Sequence, residues 1–296
     1  MTRYAAIDVG SNAVRLLIAD IQQGEKGYSF KKNTLVRVPL RLGDDAFLAQ
    51  QISPRKAMDL VKTMSAFKNL MDVYQVSAYL ACATSAMREA RNGAAVLQSI
   101  KEQAGIDLEI IAGQREADLI YANHIEERLD KGKSYLYIDV GGGSTELSIF
   151  VNKELVASKS FNLGTIRILD NQDEVGTWKE MQLWLKNHTK GLKNLAGIGT
   201  GGNINKLFRM SGEKEDAPMS LRTLSKLYQE LNNLSLKERI INMKLNPDRA
   251  DVIIPACEIY LTVMKWARVK QIYVPKVGLV DGMINLLIEE HLSNQV

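Results

Sequence analysis

The 296-residue chain has two cysteines, Cys82 and Cys257, far apart and without a CxxC spacing. That excludes a disulfide framework and a thiolate zinc knuckle, and makes two buried thiols in a reducing compartment the expectation. Histidine is scarce as well. His124, His188 and His291 stand alone, with no HxxxH pair and no neighbouring cysteine, so any metal is expected on oxygen ligands. No apolar run approaches the about 20 residues that span a bilayer, and the N-terminal stretch reaches Asp8 before it has built a signal-peptide core. A cytoplasmic protein with no membrane partner is therefore expected. Charge of one sign is lacking too: 38 basic against 34 acidic residues give +4, too little to mark a nucleic-acid binder and no barrier to an anionic substrate. Pro-rich, Gly/Ser-rich and Gln-rich tracts are absent, so with 46% hydrophobic and 24% charged residues the chain is expected to fold throughout.

What is present is a repeat. "YAAIDVGSNAVRLLIADI" from Tyr4 and "YLYIDVGGGSTELSIFV" from Tyr135 both run apolar strand, Asp-Val-Gly, small polar loop, second strand, with Asp8 and Asp139 131 positions apart. A period this long points to two similar domains, since solenoid repeats are much shorter. In each copy an Asp ends the first strand, and Gly lets the turn come close to a ligand. Strands are expected at 3–9, 14–21, 28–38, 77–82 and 107–111, then at 134–140, 145–151, 154–161, 195–199 and 271–275. Between them "SPRKAMDLVKTMSAFKNLMDVY" reads as a helix, with Ser53 as N-cap, Pro54 at the first position and a core stripe of Ala57, Met58, Val61, Met64, Phe67 and Met71. A second helix is read over 114–129, and Gly132 in "DKGK" suggests the junction, giving domains 1–130 and 131–296 of an α/β protein with mixed sheets.

A third glycine loop, "LAGIGTGGNINKLF", passes from strand through a Gly-rich turn into a helix starting near Gly202 or Asn203. Backbone N–H groups at such a start attract anions. Any one of these loops is explained equally well by turn geometry; two Asp-Gly hairpins and a Gly-rich helix start together are not. Asp139 and Glu146 flank the second turn, where a short hairpin brings both to one ion.

In order along the chain, "AAIDVGSNAVRLLIA", "ATSAMREARN", "IIAGQREADLIY", "YIDVGGGSTEL" and "GIGTGGNI" resemble the exopolyphosphatase and guanosine pentaphosphate phosphohydrolase family of the actin, hexokinase and acetate-kinase superfamily. The resemblance runs from Tyr4 to "GLVDGMINLLIEE". It implies two ribonuclease-H-like (actin-like ATPase) domains with a central interdomain cleft, where a linear phosphoanhydride is hydrolysed from its end with Mg2+. The catalytic acid it implies is Glu116, which would hold or deprotonate the attacking water. The implied phosphate contacts are Ser11, Asn12, Arg88, Gly141, Gly142, Gly143, Ser144, Thr145, Thr200, Gly201 and Gly202. The implied metal-linked acids are Asp139 and Glu146, with Asp8 acting through water. Arg88 suits two phosphate oxygens at once; Lys206, Arg209, Arg249 and Lys276 are further candidate cations for the cleft, whose direction the sequence leaves open.

Three positions depart from the family pattern: Arg115 stands where an acid precedes the catalytic one, Asn203 where the third loop ends in Thr, and Val280 where Gly-Leu-Arg is usual. The leading expectation is hydrolysis of inorganic polyphosphate, with short chains favoured because the extra helical domains of longer members do not follow Leu287. A homodimer is what the resemblance implies. Three other readings stay open: guanosine pentaphosphate as substrate, phosphate transfer from ATP to a small acceptor, and a noncatalytic phosphate-chain or nucleotide sensor.

Overall fold

The computed structural model describes residues 2–24, 27–123, 130 and 132–293. Strands form where β-branched and aromatic residues concentrate. In chain order the elements are β1 (Arg3–Val9), β2 (Val14–Gly24), β3 (Gly27–Val38), α1 (Leu42–Ala49), α2 (Pro54–Val73), β4 (Ala78–Ala83), α3 (Ser85–Glu89), α4 (Gly93–Ala104), β5 (Glu109–Ile110) and α5 (Gly113–Tyr121). There follow β6 (Ser134–Val140), β7 (Thr145–Val151), β8 (Glu154–Phe161), α6 (Thr165–Leu169), α7 (Val175–Thr189), β9 (Leu195–Thr200), α8 (Gly202–Ser211), β10 (Met219–Ser220), α9 (Leu221–Asn232), α10 (Leu236–Ile241), α11 (Pro247–Ala250), α12 (Ile253–Trp266), β11 (Gln271–Tyr273) and α13 (Leu279–Ser293).

The chain divides into two compact units, Met1–Asn123 with Val277–Val296, and His124–Lys276. The expected division at 130/131 therefore needs correcting at its C-terminal end: α13 belongs to the first unit. Val280, Met283, Ile284 and Ile288 share a core cluster with Tyr4, Ala6, Leu17, Cys82 and Leu119. Burying side chains of this size is worth roughly 1.5–3 kcal/mol each, which explains why a helix from the far end of the chain joins the first sheet. Val280, where the family pattern has arginine, is 8% exposed and part of this core. The junction itself and the C-terminal part of the expected helix 114–129 fall on 124–129 and 131, outside the described residues.

Both sheets are mixed and share the order of five strands, to which the second adds β10 at its edge. Unit 1 has the order β3-β2-β1-β4-β5, and unit 2 the order β10-β11-β9-β6-β7-β8. In each, an antiparallel three-strand meander continues through a parallel neighbour on the far side of its first strand. The sequence repeat is thus a structural repeat of ribonuclease-H-like order. In α2 the Ser53 hydroxyl accepts from the Lys56 amide, as the N-cap reading predicts. Its buried stripe is Leu60, Val61, Met64, Phe67 and Met71; Met58 is 58% exposed, one position off the stripe that Leu60 completes. Strand β10, two residues long, has no counterpart among the expected strands.

Candidate active site

The turn after β6 explains its three glycines. The Gly141 amide closes it by donating to the Ser144 carbonyl at 2.9 Å. The carbonyls of Gly141, Gly142 and Gly143 all face the start of α6, accepting from the Thr165 amide at 3.1 Å, the Ile166 amide at 2.8 Å and Arg167 Nε at 2.7 Å. In a planar trans peptide the C=O of one residue and the N–H of the next point in opposite directions. The amides of Gly142, Gly143 and Ser144 are consequently turned away from α6, three consecutive donors suited to anionic oxygens. Gly164 makes this approach possible, because a Cβ there would lie 2.3 Å from the Gly142 oxygen. The segment from Gly164 to Arg167 was missed in the sequence; the signal available was Gly-Thr three residues after a strand, followed closely by an Arg, which the structure buries.

The side-chain hydroxyls of the same loops are turned inward. Thr145 is fully buried and donates to the Leu163 carbonyl at 2.6 Å. In unit 1, Ser11 and Ser85 share a buried hydroxyl contact of 2.9 Å. The first turn repeats the design of the second. The Gly10 amide donates to the Ala13 carbonyl at 3.2 Å, while the Ser11 and Asn12 carbonyls accept from the Gly43 and Arg41 amides at 2.9 and 3.0 Å.

The acids sit one step behind the turns. Asp139 and Glu146 are direct partners across the β6–β7 ladder, so their Cβ atoms lie about 5 Å apart on one face of the sheet. Thr200 is the partner of Asp139 on β9, and Ser160 that of Glu146 on β8. Thr200 Oγ1 donates to Asp139 Oδ2 at 2.7 Å, and Ser160 Oγ donates to Glu146 Oε1 at 2.8 Å. Thr200 itself is fully buried and accepts from the Tyr137 hydroxyl at 2.7 Å. Tyr260, also fully buried, donates to the Thr200 carbonyl at 2.8 Å; burial first, then the negative charge of Asp139, pushes its hydroxyl pKa well up. Among the described residues no group of three or more His, Cys, Asp and Glu side chains forms a metal cage. A pair of carboxylates on one face nevertheless fits magnesium, which takes one or two protein carboxylates and completes its shell with water and phosphate oxygens.

The third loop brings Gly201 to Asp139. Gly201 has φ +94°, and a Cβ there would stand 3.0 Å from Asp139 Oδ1. The amides of the first turn of α8 follow at once. Arg249 covers this start, with its guanidinium on the Gly202 carbonyl and 3.5 Å from Asn203 Oδ1. Lys206 lies near enough to Arg209 and Arg249 that burial and both charges lower its pKa. Lys276 does not join them: it pairs with Glu215 in an exposed ion pair.

In unit 1, Asp8 is 3% exposed at the end of β1 and pairs with Arg15, its ladder partner on β2. Glu116 stands in the first turn of α5, half-buried. Cys82 is the ladder partner of Asp8 on β4, and its thiol is pushed up to about 12, by burial foremost and then by Glu109, Asp8 and Glu116. It is a protonated thiol at neutral pH. Arg88 holds the chain just ahead of α5, donating from Nη1 to the Ile111 carbonyl at 2.8 Å.

Repeated units, each with an acid behind a glycine turn, make a two-domain fold of ribonuclease-H-like order. The Ppx/GppA phosphatase family profile matches residues 18–291, and the chain belongs to that family. It is 27% identical to the bifunctional 3-dehydroquinate synthase/phosphatase of Fusobacterium nucleatum, over 84% of this chain and 41% of that protein. It is 25% identical to exopolyphosphatase 2 of Mycobacterium tuberculosis, over 96% of this chain and 98% of that one. The fold matches an exopolyphosphatase from Cytophaga hutchinsonii with TM-score 0.84 at 23% identity, covering 98% of both chains. A Ppx/GppA family member from Aquifex aeolicus superposes with TM-score 0.75 at 21% identity, covering 100% of this chain and 99% of that one.

Proposed function

We propose that the protein is an exopolyphosphatase, releasing orthophosphate from the end of inorganic polyphosphate with the help of Mg2+. The observation that carries this reading is the turn after β6, where amides of Gly142, Gly143 and Ser144 face away from α6 directly ahead of the Asp139–Glu146 pair. Outward amides suit phosphate oxygens, and paired carboxylates suit a hard cation. The turn of unit 1 at Ser11 and Asn12 and the α8 start at Gly201 and Gly202 supply further donors of the same kind. Phosphoryl transfer to water goes through a loose transition state, so positioning and charge neutralisation carry most of the catalysis. Glu116 is the residue assigned to orient the attacking water and accept its proton. Bound magnesium would neutralise charge on the phosphate oxygens. Asp8 contributes indirectly, and Arg88 fixes the entry to α5.

The test is phosphate release from polyphosphate of defined length, with and without Mg2+, for the natural protein and Glu116→Gln. Metal-dependent release that falls about 10²- to 10⁴-fold in the variant is expected, since an amide cannot accept the proton. Equal rates would remove Glu116 from the mechanism. Guanosine pentaphosphate run alongside decides between the two family substrates, and a series of chain lengths tests the preference for short chains.

A further inference from the structure

A continuous row of side chains crosses the unit 2 sheet at the level of the glycine turn: Thr200 on β9, Asp139 on β6, Glu146 on β7 and Ser160 on β8, each the ladder partner of the next. Two acids stand in the middle and a hydroxyl stands at each end. Each hydroxyl donates to one oxygen of the acid beside it, at 2.7 Å from Thr200 and 2.8 Å from Ser160. The Thr200 hydroxyl has only one proton to give. Since it accepts from Tyr137 at 2.7 Å, that proton is committed to Asp139. From this geometry we infer that Thr200, backed by Tyr137, and Ser160 are positioning residues that fix the rotation of the two carboxylates so that both face one divalent cation. Thr200 acts through Asp139; fully buried, it does not itself meet a phosphate.

The inference rests on the metal role given above to Asp139 and Glu146, and goes beyond it in assigning Thr200, Tyr137 and Ser160 to the orientation of those acids. Groups that orient metal ligands typically account for about 10- to 100-fold of metal affinity. The closing experiment is a titration of the substrate-free protein with Mn2+, read as the electron paramagnetic resonance signal of the free ion. Magnesium-dependent phosphate release from tripolyphosphate is measured in parallel. Thr200→Val is expected to weaken Mn2+ binding about 10-fold or more, and to raise the Mg2+ concentration needed for half-maximal rate. Thr200→Ser, which keeps the hydroxyl, restores both. Tyr137→Phe and Ser160→Ala, each losing a single oxygen, show intermediate losses, and they keep the inference testable should Thr200→Val not fold. Tyr260→Phe loses a hydroxyl that donates to the Thr200 backbone rather than to the acids; it lowers the melting temperature and leaves Mn2+ affinity unchanged.

Wild-type affinity in Thr200→Val, a loss in Thr200→Ser equal to that in Thr200→Val, or a loss in Tyr260→Phe as large as either would overturn the assignment. In each of these cases the natural protein still binds metal and turns over, so the functional reading survives. If the natural protein binds no Mn2+ and releases phosphate without metal, both fall together.

Discussion

The row that crosses unit 2 through Thr200, Asp139, Glu146 and Ser160 has an equivalent in unit 1, where Cys82, Asp8, Arg15 and Arg37 are ladder partners across β4, β1, β2 and β3. The turns ahead of the two rows close with the same hydrogen bond, and both first strands carry Asp as their next-to-last residue. What differs is the side chain facing that Asp. In unit 1 it is a guanidinium that pairs with Asp8; in unit 2 it is a second carboxylate. Formal charge along the row thus runs from two cations and one anion in unit 1 to two anions in unit 2. One scaffold, repeated, places an ion pair beside its strand-end Asp in the first copy and a pair of carboxylates there in the second; the proposed function gives the second pair the cation. Only the Asp is shared; the three other positions differ, and the pair directly facing the Asp is Arg15 and Glu146.

The sharpest way to break this comparison is to erase that difference. Glu146→Arg gives unit 2 the Asp–Arg pair of unit 1, and the introduced guanidinium opposite Asp139 occupies the charge that a cation would neutralise. Phosphate release is expected to fall about 10²-fold or more, because a catalytic cation supplies several kcal/mol of charge stabilisation. Glu146 is 2% exposed whereas the Arg15 side chain is 31% exposed, so retention of the fold is checked by circular dichroism and a thermal melt. The reciprocal Arg15→Glu places a second carboxylate beside a buried Asp8. The Arg15 side chain is 31% exposed, so the stability cost is roughly 1–3 kcal/mol rather than that of a fully buried broken pair. If Glu146→Arg unfolds the protein, or keeps full metal-dependent activity, the two rows are not functional counterparts.

Each unit has a place where two backbone segments touch through a glycine, and the closeness of that support is the next point to press. Gly164 in unit 2 and Gly282 in unit 1 each bring one backbone against another: a Cβ would sit 2.3 Å from the Gly142 oxygen in the first case and 1.7 Å from the Leu119 oxygen in the second. The first contact holds the glycine turn. The second holds α5, and with it Glu116. Gly164→Ala and Gly282→Ala are each expected to lose about 1–3 kcal/mol in urea denaturation, the usual cost of overpacking. They differ in what they spoil: Gly164→Ala weakens phosphate and metal binding through the turn, whereas Gly282→Ala lowers the maximal rate through Glu116. Identical kinetic profiles for the two variants would contradict the division of roles between the units.

The hairpins were legible in the sequence because each part of their signal is local: alternating apolar residues, an Asp at the strand end, a glycine where the turn closes. Ser53, Pro54 and the Gly-rich start of α8 were legible for the same reason. The placement of α13 was not. Its docking depends on Val280, Met283, Ile284 and Ile288 meeting Tyr4 and Leu17 from the other end of the chain, and a linear repeat read at face value cuts the chain once. Gly164 to Arg167 escaped notice because their meaning lies in the carbonyls they touch, about 20 residues earlier in the chain. The hydroxyls are a subtler case. Thr145 and Thr200 were read as phosphate contacts, yet motif spacing carries no information on which way a hydroxyl turns, and both are fully buried with protein acceptors.

A smaller effect separates buried acids within unit 1. Asp20 and Asp281 are both paired with a cation, Asp20 with Arg3 at 2.9 Å and Asp281 with Lys32 at 2.6 Å. Their carboxyls nevertheless shift in opposite directions. Asp20 is held below its ordinary 3.8, by the Asn33 hydrogen bond foremost and then Arg3; Asp281 is raised above 3.8, because burial outweighs Lys32 and the Gly278 amide. A raised folded-state value means that the folded protein binds this proton more tightly than the unfolded chain does. The stabilisation is therefore complete below pH 3.8 and is lost as pH rises through the folded value. Relative to Asp281→Asn, the natural protein should lose stability across that window, with a slope of at most about 1.4 kcal/mol per pH unit for one proton. For Asp20→Asn the comparison reverses, the natural protein losing its advantage as pH falls through the depressed value. Urea denaturation of the three proteins in steps of pH reads both signs. Should Asp281 show the slope of Asp20, Lys32 would outweigh desolvation at the start of α13, and Lys32→Met would then turn the slope back.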